Sequence, residues 1–179
     1  KLLITRNDPV LGEFVGNILI DMAVALEHMH ETGFIHLDFK PENVLITANG
    51  DIRVVDFDLA QPLPKKPTKM PSNAGTPAYM APEQIRHEPL DQRADIFSYG
   101  VTAYELLTFR KPFTGDTPEA VLRKQLDEKH AVPPPRQFNE DIPIAVERII
   151  LKCLKRDPEQ RYPNTHVLVA QLQQALYVK

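Results

Sequence analysis

Between residues 10 and 32 apolar side chains recur at steps of three and four, through Phe14, Ile18, Met22, Ala25 and Met29. That period predicts a long amphipathic helix with one buried stripe. Gly33 follows in the position of a helix stop. Ahead of it, residues 1–8 read as the tail of a helix running into a turn at Asn7-Asp8-Pro9. The pattern then shortens. Residues 44–46 (Val44, Leu45, Ile46) and 52–55 read as two short strands, joined by Asn49-Gly50, a type I′ hairpin signal. Residues 93–109 return to helical spacing, with Ile96, Gly100, Ala103 and Leu107 on one face. Phe97, Tyr99, Val101 and Leu106 make the other sides apolar too, which predicts a central, buried helix. Thr117-Pro118-Glu119 opens a further helix, with Thr as cap and Pro in the first helical position. After Pro133-Pro134-Pro135, residues 143–154 carry a stripe of Val146, Ile149, Ile150, Cys153 and Leu154. Asn164 or Thr165 caps a last helix to about Leu176, with Leu168, Leu172 and Ala175 buried. Residues 58–74 have no period, four prolines and three lysines, and are expected to form a mobile loop.

A length of 179 residues with 42% hydrophobic content provides for one domain with a real core. No internal repeat or second domain is visible. No apolar run approaches the length of a membrane span and no signal peptide is recognisable. The chain starts at Lys1, so a segment of something longer is expected. A net charge of −3 without a basic stripe argues against nucleic acid as main partner. The single Cys153 excludes an internal disulfide framework and reads as a buried structural thiol. The reducing cytoplasm is therefore the expected compartment, with an anchor elsewhere in the parent still compatible. His28 and His30, near the end of the first helix, read as structural or surface residues and not as ligands.

Three polar residues change the picture: Asp38, Asn43 five positions on, and Asp56 thirteen beyond that. Each stands at the edge of an apolar run. Asp38 and Asn43 enter one predicted strand and Asp56 leaves the other, so a hairpin brings all three to one small volume. Two carboxylates and an amide suit Mg²⁺ and an attacking hydroxyl. Singly, each is equally a turn residue.

Together, His36-x-Asp38-x-Lys40-x-x-Asn43 followed by Asp56-Phe57 resembles the catalytic loop and metal-binding motif of eukaryotic-type protein kinases, in a bacterial-looking branch. Downstream, Gly75-Thr76-Pro77-Ala78-Tyr79-Met80-Ala81-Pro82-Glu83 is similar to the family's substrate-side loop and Ala-Pro-Glu signature. The resemblance runs through the chain but covers only the family's C-terminal lobe. It implies a mainly α fold, helical with a short β-hairpin at the catalytic loop. Residues 1–179 would be a partial kinase domain with an activation segment at 56–83, and the N-terminal β lobe would precede Lys1.

The resemblance also implies the roles. ATP and Mg²⁺ would be bound, and the acceptor would be a Ser or Thr hydroxyl of a protein substrate. Asp38 would orient that hydroxyl and take its proton, and Lys40 would reach the transferring phosphate. A Lys at position 40 is similar to Ser/Thr kinases rather than tyrosine kinases. Asp56 and Asn43 would hold metal, and Leu45 would floor the adenine site. Thr76 is either one turn hydroxyl among several or the loop threonine that contacts Asp38 and Lys40. His36, Asp95, Glu83 and Arg161 would be structural: Asp95 anchoring the catalytic-loop backbone, Glu83 and Arg161 forming an ion pair. Thr68 and Ser72 are candidate phosphorylation sites.

Two residues depart from the family's pattern. Leu37 replaces the Arg before the catalytic Asp, removing the cation that would pair with an activation-loop phosphate. Asp58 replaces the Gly of Asp-Phe-Gly, adding a Cβ and a second negative charge near the metal. The sequence also lacks a Gly-rich phosphate loop, the strand Lys and its partner Glu. A pseudokinase or scaffold module is the alternative these features motivate. A small-molecule phosphotransferase of the aminoglycoside-kinase type shares the loop spacing, but Ala81-Pro82-Glu83 and Arg161 speak against it.

Overall fold

Each long helical pattern in the sequence is a helix in the computed structural model, which describes residues 9–71 and 74–177. The readings made for residues 1–8 and for Ser72 lie outside those residues. Helix α1 (Pro9–Glu31) buries Ile18, Leu19, Met22, Ala23 and Leu26, while Ala25 and Met29 are only half-buried. The expected single stripe is therefore a broader arc. The physical reason is that α1 is packed from more than one side, against α6 (Thr165–Tyr177), α3 (Arg93–Thr108) and two short strands.

Helix α3 is the centre of the molecule, as its all-round apolarity predicts. Ile96, Phe97, Tyr99, Val101, Ala103 and Tyr104 are fully enclosed. Tyr99 donates its hydroxyl to Leu19 O at 2.9 Å, tying α3 to α1. Gly100 is the closest approach to α5 (Ile144–Cys153): a Cβ there would stand 2.7 Å from Cys153 Cβ. Cys153 is fully buried, and that burial pushes its thiol up to about 12, which keeps it protonated and inert.

Capping residues set the outer helices. Thr117 Oγ1 accepts from Ala120 N at 3.2 Å to start α4 (Pro118–Leu126). Of the two caps open for α6, Asn164 is the one used, its Oδ1 accepting from Val167 N at 2.9 Å. Asn164→Ala is expected to cost about 1 kcal/mol of folding stability, measured by urea denaturation; an unchanged midpoint would show that the cap contributes nothing.

The strands are few. Between α1 and α3, β1 (Phe34–Ile35) pairs antiparallel with β4 (Gln61–Pro62), and β2 (Val44–Ile46) with β3 (Ile52–Val54). Leu45 faces Arg53 in the second pair. The connection between β2 and β3 is not the expected two-residue type I′ turn. Gly50 N donates to Thr47 O at 3.0 Å and Thr47 N to Asp51 O at 2.9 Å, so the loop is one residue longer. Only Gly50 has positive φ, at 83°, and Asn49 does not. This is the three-residue loop in which glycine supplies the left-handed position.

The stretch at 58–71 is paired at two points. β4 binds the start of this stretch to β1, and Thr68 exchanges two 3.0 Å backbone bonds with Leu90. A two-residue strand is too short to show a period, so the pairing left no pattern in the sequence. The resulting class is mainly α, with six α-helices and four short strands among the described residues. No helix among them is long and apolar enough to cross a membrane.

Candidate active site

Asp95, in the first turn of α3, is where the site is hung. It is fully buried. Its carboxylate accepts from His36 N and Leu37 N, each at 2.8 Å, and from His30 Nε2 at 2.8 Å. Burial alone pushes the Asp95 carboxyl up. The His30 ring and the two backbone N–H groups outweigh it and hold the group below the ordinary carboxylate range. The other His30 nitrogen, Nδ1, meets Thr165 Oγ1 at 3.2 Å, so the anchor reaches the start of α6. Of the two readings of His30, structural or surface, the buried structural one is observed.

From this anchor the loop delivers its polar groups. Leu37 adopts φ 63°, a left-handed conformation that costs a residue with a Cβ about 1–2 kcal/mol. Its N–H is held by Asp95, and its carbonyl accepts from Gln84 Nε2 at 3.1 Å. The Leu37 side chain is buried in the core. Next in the chain, Asp38 Oδ1 accepts from Thr76 N at 2.8 Å. Its Oδ2 accepts from Lys40 Nζ at 2.6 Å, and the same Nζ donates to Thr76 Oγ1 at 2.7 Å. Asp38, Lys40 and Thr76 thus form one connected group, and of the two readings of Thr76 the contact with Asp38 and Lys40 is the one observed.

Asn43, buried, donates Nδ2 to Asp38 O at 3.0 Å, which leaves Oδ1 as the atom it can offer a cation. Val55 N donates to Asn43 O at 2.9 Å, so Asp56 leaves the second strand beside Asn43. Asp56 has φ 65° and an exposed side chain, and Asp58 is exposed as well. No hydrogen bond joins the Asp56 carboxylate to Asp38, Lys40 or Asn43 among the described residues; the backbone alone brings it near. One carboxylate and one amide oxygen fit Mg²⁺, which takes few protein ligands and completes its shell with water and phosphate. No group of three His, Cys, Asp or Glu side chains suited to a metal occurs among the described residues.

The His36 ring is fully buried against Phe39 and Phe57, with centroids 5.9 and 5.5 Å away. Its Nδ1 accepts from Asp38 N at 3.3 Å, and its Nε2 has no partner among the described residues. Leu45 lies on the outer face of its hairpin, exposed like Phe34 and Phe57. An open apolar cleft of about 600 Å³ is bounded by Leu26, Met29, Phe34, Val54 and Phe57.

Glu83 and Arg161 meet as a buried, two-pronged pair, Nη1 to Oε1 at 2.7 Å and Nη2 to Oε2 at 2.8 Å. Sequence reasoning missed two contributors: His30 behind Asp95, and Gln84 behind Leu37. Gln84 directly follows Ala81-Pro82-Glu83, and that adjacency was the only signal available.

A helical layer thus carries an anchored loop in which Asp38, Lys40 and Thr76 form one connected polar group. Residues 2–174 match the protein kinase domain family. The chain is 34% identical over 174 residues to a probable serine/threonine-protein kinase of Clostridium acetobutylicum, covering 96% of this chain and 26% of that protein. It is 38% identical over 158 residues to a probable serine/threonine-protein kinase of Streptomyces coelicolor, covering 87% and 23%. Against the serine/threonine-protein kinase PknB of Mycobacterium leprae it is 36% identical over 172 residues, covering 95% and 27%. The chain belongs to the protein kinase family. It spans about a quarter of the length of these relatives.

Proposed function

We propose that this chain is the C-terminal lobe of a serine/threonine protein kinase, which moves the ATP γ-phosphoryl group to a Ser or Thr hydroxyl of a protein. One observation carries the reading: the Asp38 carboxylate is held by Thr76 N while Lys40 spans from its Oδ2 to Thr76 Oγ1. A carboxylate held this way is oriented to take the proton of an acceptor hydroxyl as its oxygen attacks phosphorus. Lys40 is placed to neutralise charge on the transferring group. Asn43 and Asp56 would hold Mg²⁺, which when bound offsets charge on the phosphate oxygens. Leu45 would meet the adenine. The activation segment would be residues 56–83, with Thr76 near the acceptor. His36, Asp95, Glu83 and Arg161 would act by holding the loop and segment in place.

An upstream lobe completes the site in this reading. Its support is the exposed Leu45 on the outer face of the hairpin, together with the exposed Phe34 and Phe57 that border the open cleft. Residues 1–179 alone are therefore expected to show negligible phosphotransfer; robust, Asp38-dependent turnover by the isolated piece would sink that idea. The reading as a whole is tested by labelled-phosphate transfer from Mg-ATP to a generic Ser/Thr protein, using the longest natural chain that contains this segment. Transfer is expected. ATP binding without any transfer would make the protein a binding module instead.

A further inference from the structure

We infer that Gln84 is a positioning residue that clamps the catalytic loop to the substrate-side loop; the inference rests on Asp38 as the proton acceptor proposed above. Gln84 sits in α2 (Pro82–Ile85) and is almost fully buried. Its Nε2 donates to two carbonyls, Leu37 O at 3.1 Å and Ala74 O at 2.9 Å. The reverse amide orientation would aim an oxygen at both, so the donor assignment follows from the partners. Its own Oε1 is buried without a partner among the described residues. An unsatisfied buried oxygen is costly, and here it accompanies an amide that uses both N–H groups on backbone.

The two carbonyls stand at either side of the reacting residues. Leu37 is the left-handed residue immediately before Asp38, held at its N–H by Asp95 and at its carbonyl by Gln84. Loss of the second hold lets this peptide relax toward the favoured right-handed region and turns the Asp38 carboxylate with it. Ala74 precedes Gly75, whose φ is 149°. A Cβ on Gly75 would stand 2.9 Å from Gln84 Nε2 and 3.2 Å from Leu37 O, so the segment passes against the clamp itself. Thr76 N then closes the ring on Asp38 Oδ1. Position 84 is in turn steadied by its neighbour Glu83, paired with Arg161.

The test is Gln84→Met in the longest natural chain, since Met keeps the volume and removes both donors. We expect kcat to fall about 10- to 100-fold, the scale of a small misplacement at a reacting centre, with KM for Mg-ATP changed less than about twofold. Amide exchange at residues 37–38 and 75–76 is expected to quicken while α3 and α5 keep their protection. A kcat within about twofold of the parent, or unchanged exchange at those positions, overturns the clamp. So does faster exchange spread equally over α3 and α5, which marks a general loss of stability. If the parent chain transfers no phosphate, the functional reading fails, and the exchange contrast alone decides whether Gln84 clamps the loops.

Discussion

Asp38→Asn, made in the longest natural chain, is expected to lower phosphate transfer by about 10²- to 10⁴-fold, the range for loss of a positioned proton acceptor. The side chain keeps its shape, so Thr76 N can still donate to the remaining oxygen. The other branch becomes an amide NH₂ facing Lys40 Nζ, where the carboxylate accepts at 2.6 Å. Two donors then oppose each other; Lys40 loses its carboxylate partner and keeps Thr76 Oγ1, while the substrate hydroxyl loses its base. Steady-state kinetics with Mg-ATP and a generic Ser/Thr protein reads the effect, with ATP affinity as control. A variant that keeps more than about a tenth of the parent's kcat would remove Asp38 from the proton transfer, since that loss is below what a general base supplies.

Arg161→Met is expected to cost about 3–5 kcal/mol of stability, because it leaves a buried carboxylate without its counter-charge. The guanidinium presents five N–H donors and all five are used. Besides Glu83, they reach Lys155 O at 2.7 Å, Arg93 O at 2.8 Å and Arg156 O at 3.0 Å. The planar group also lies over the Phe97 ring, 5.0 Å from its centroid. Arg161→Lys cannot reproduce this fork and is expected to recover only a minority of the loss. Urea denaturation of the single variants and of Arg161→Met with Glu83→Gln forms the cycle. The double variant should lie well above the sum of the two singles in stability, since removing both charges leaves no unpaired ion. Strict additivity would mean the pair is not coupled.

How much of this was legible in the sequence depended on how local the signal was. Helix α3 could be read because sixteen residues offer a full pattern and its apolar positions surround the axis. α1 was legible as a helix but not in its buried arc, since its several neighbours are unknown until the chain is folded. The hairpin was legible in its strands and misread in its turn. Asn49-Gly50 fits two loop lengths, and only the Thr47–Asp51 bond separates them. β1 and β4, two residues each, left no trace.

The sequence by itself determined the residue types of the candidate site and their spacing. Asp38, Lys40 and Asn43 lie within six consecutive positions, so their residue types and spacing are visible without any fold. The placement of those groups was decided by tertiary structure, because its agents are far apart along the chain. Thr76 meets Asp38 across 38 positions, Gln84 meets Leu37 across 47, and His30 meets Asp95 across 65. A hydrogen bond needs only proximity in space, so nothing in local periodicity or composition records which distant residue supplies it. Leu37's left-handed backbone is the clearest instance: its identity gives no reason for that conformation, and the two buried side chains that hold its peptide do.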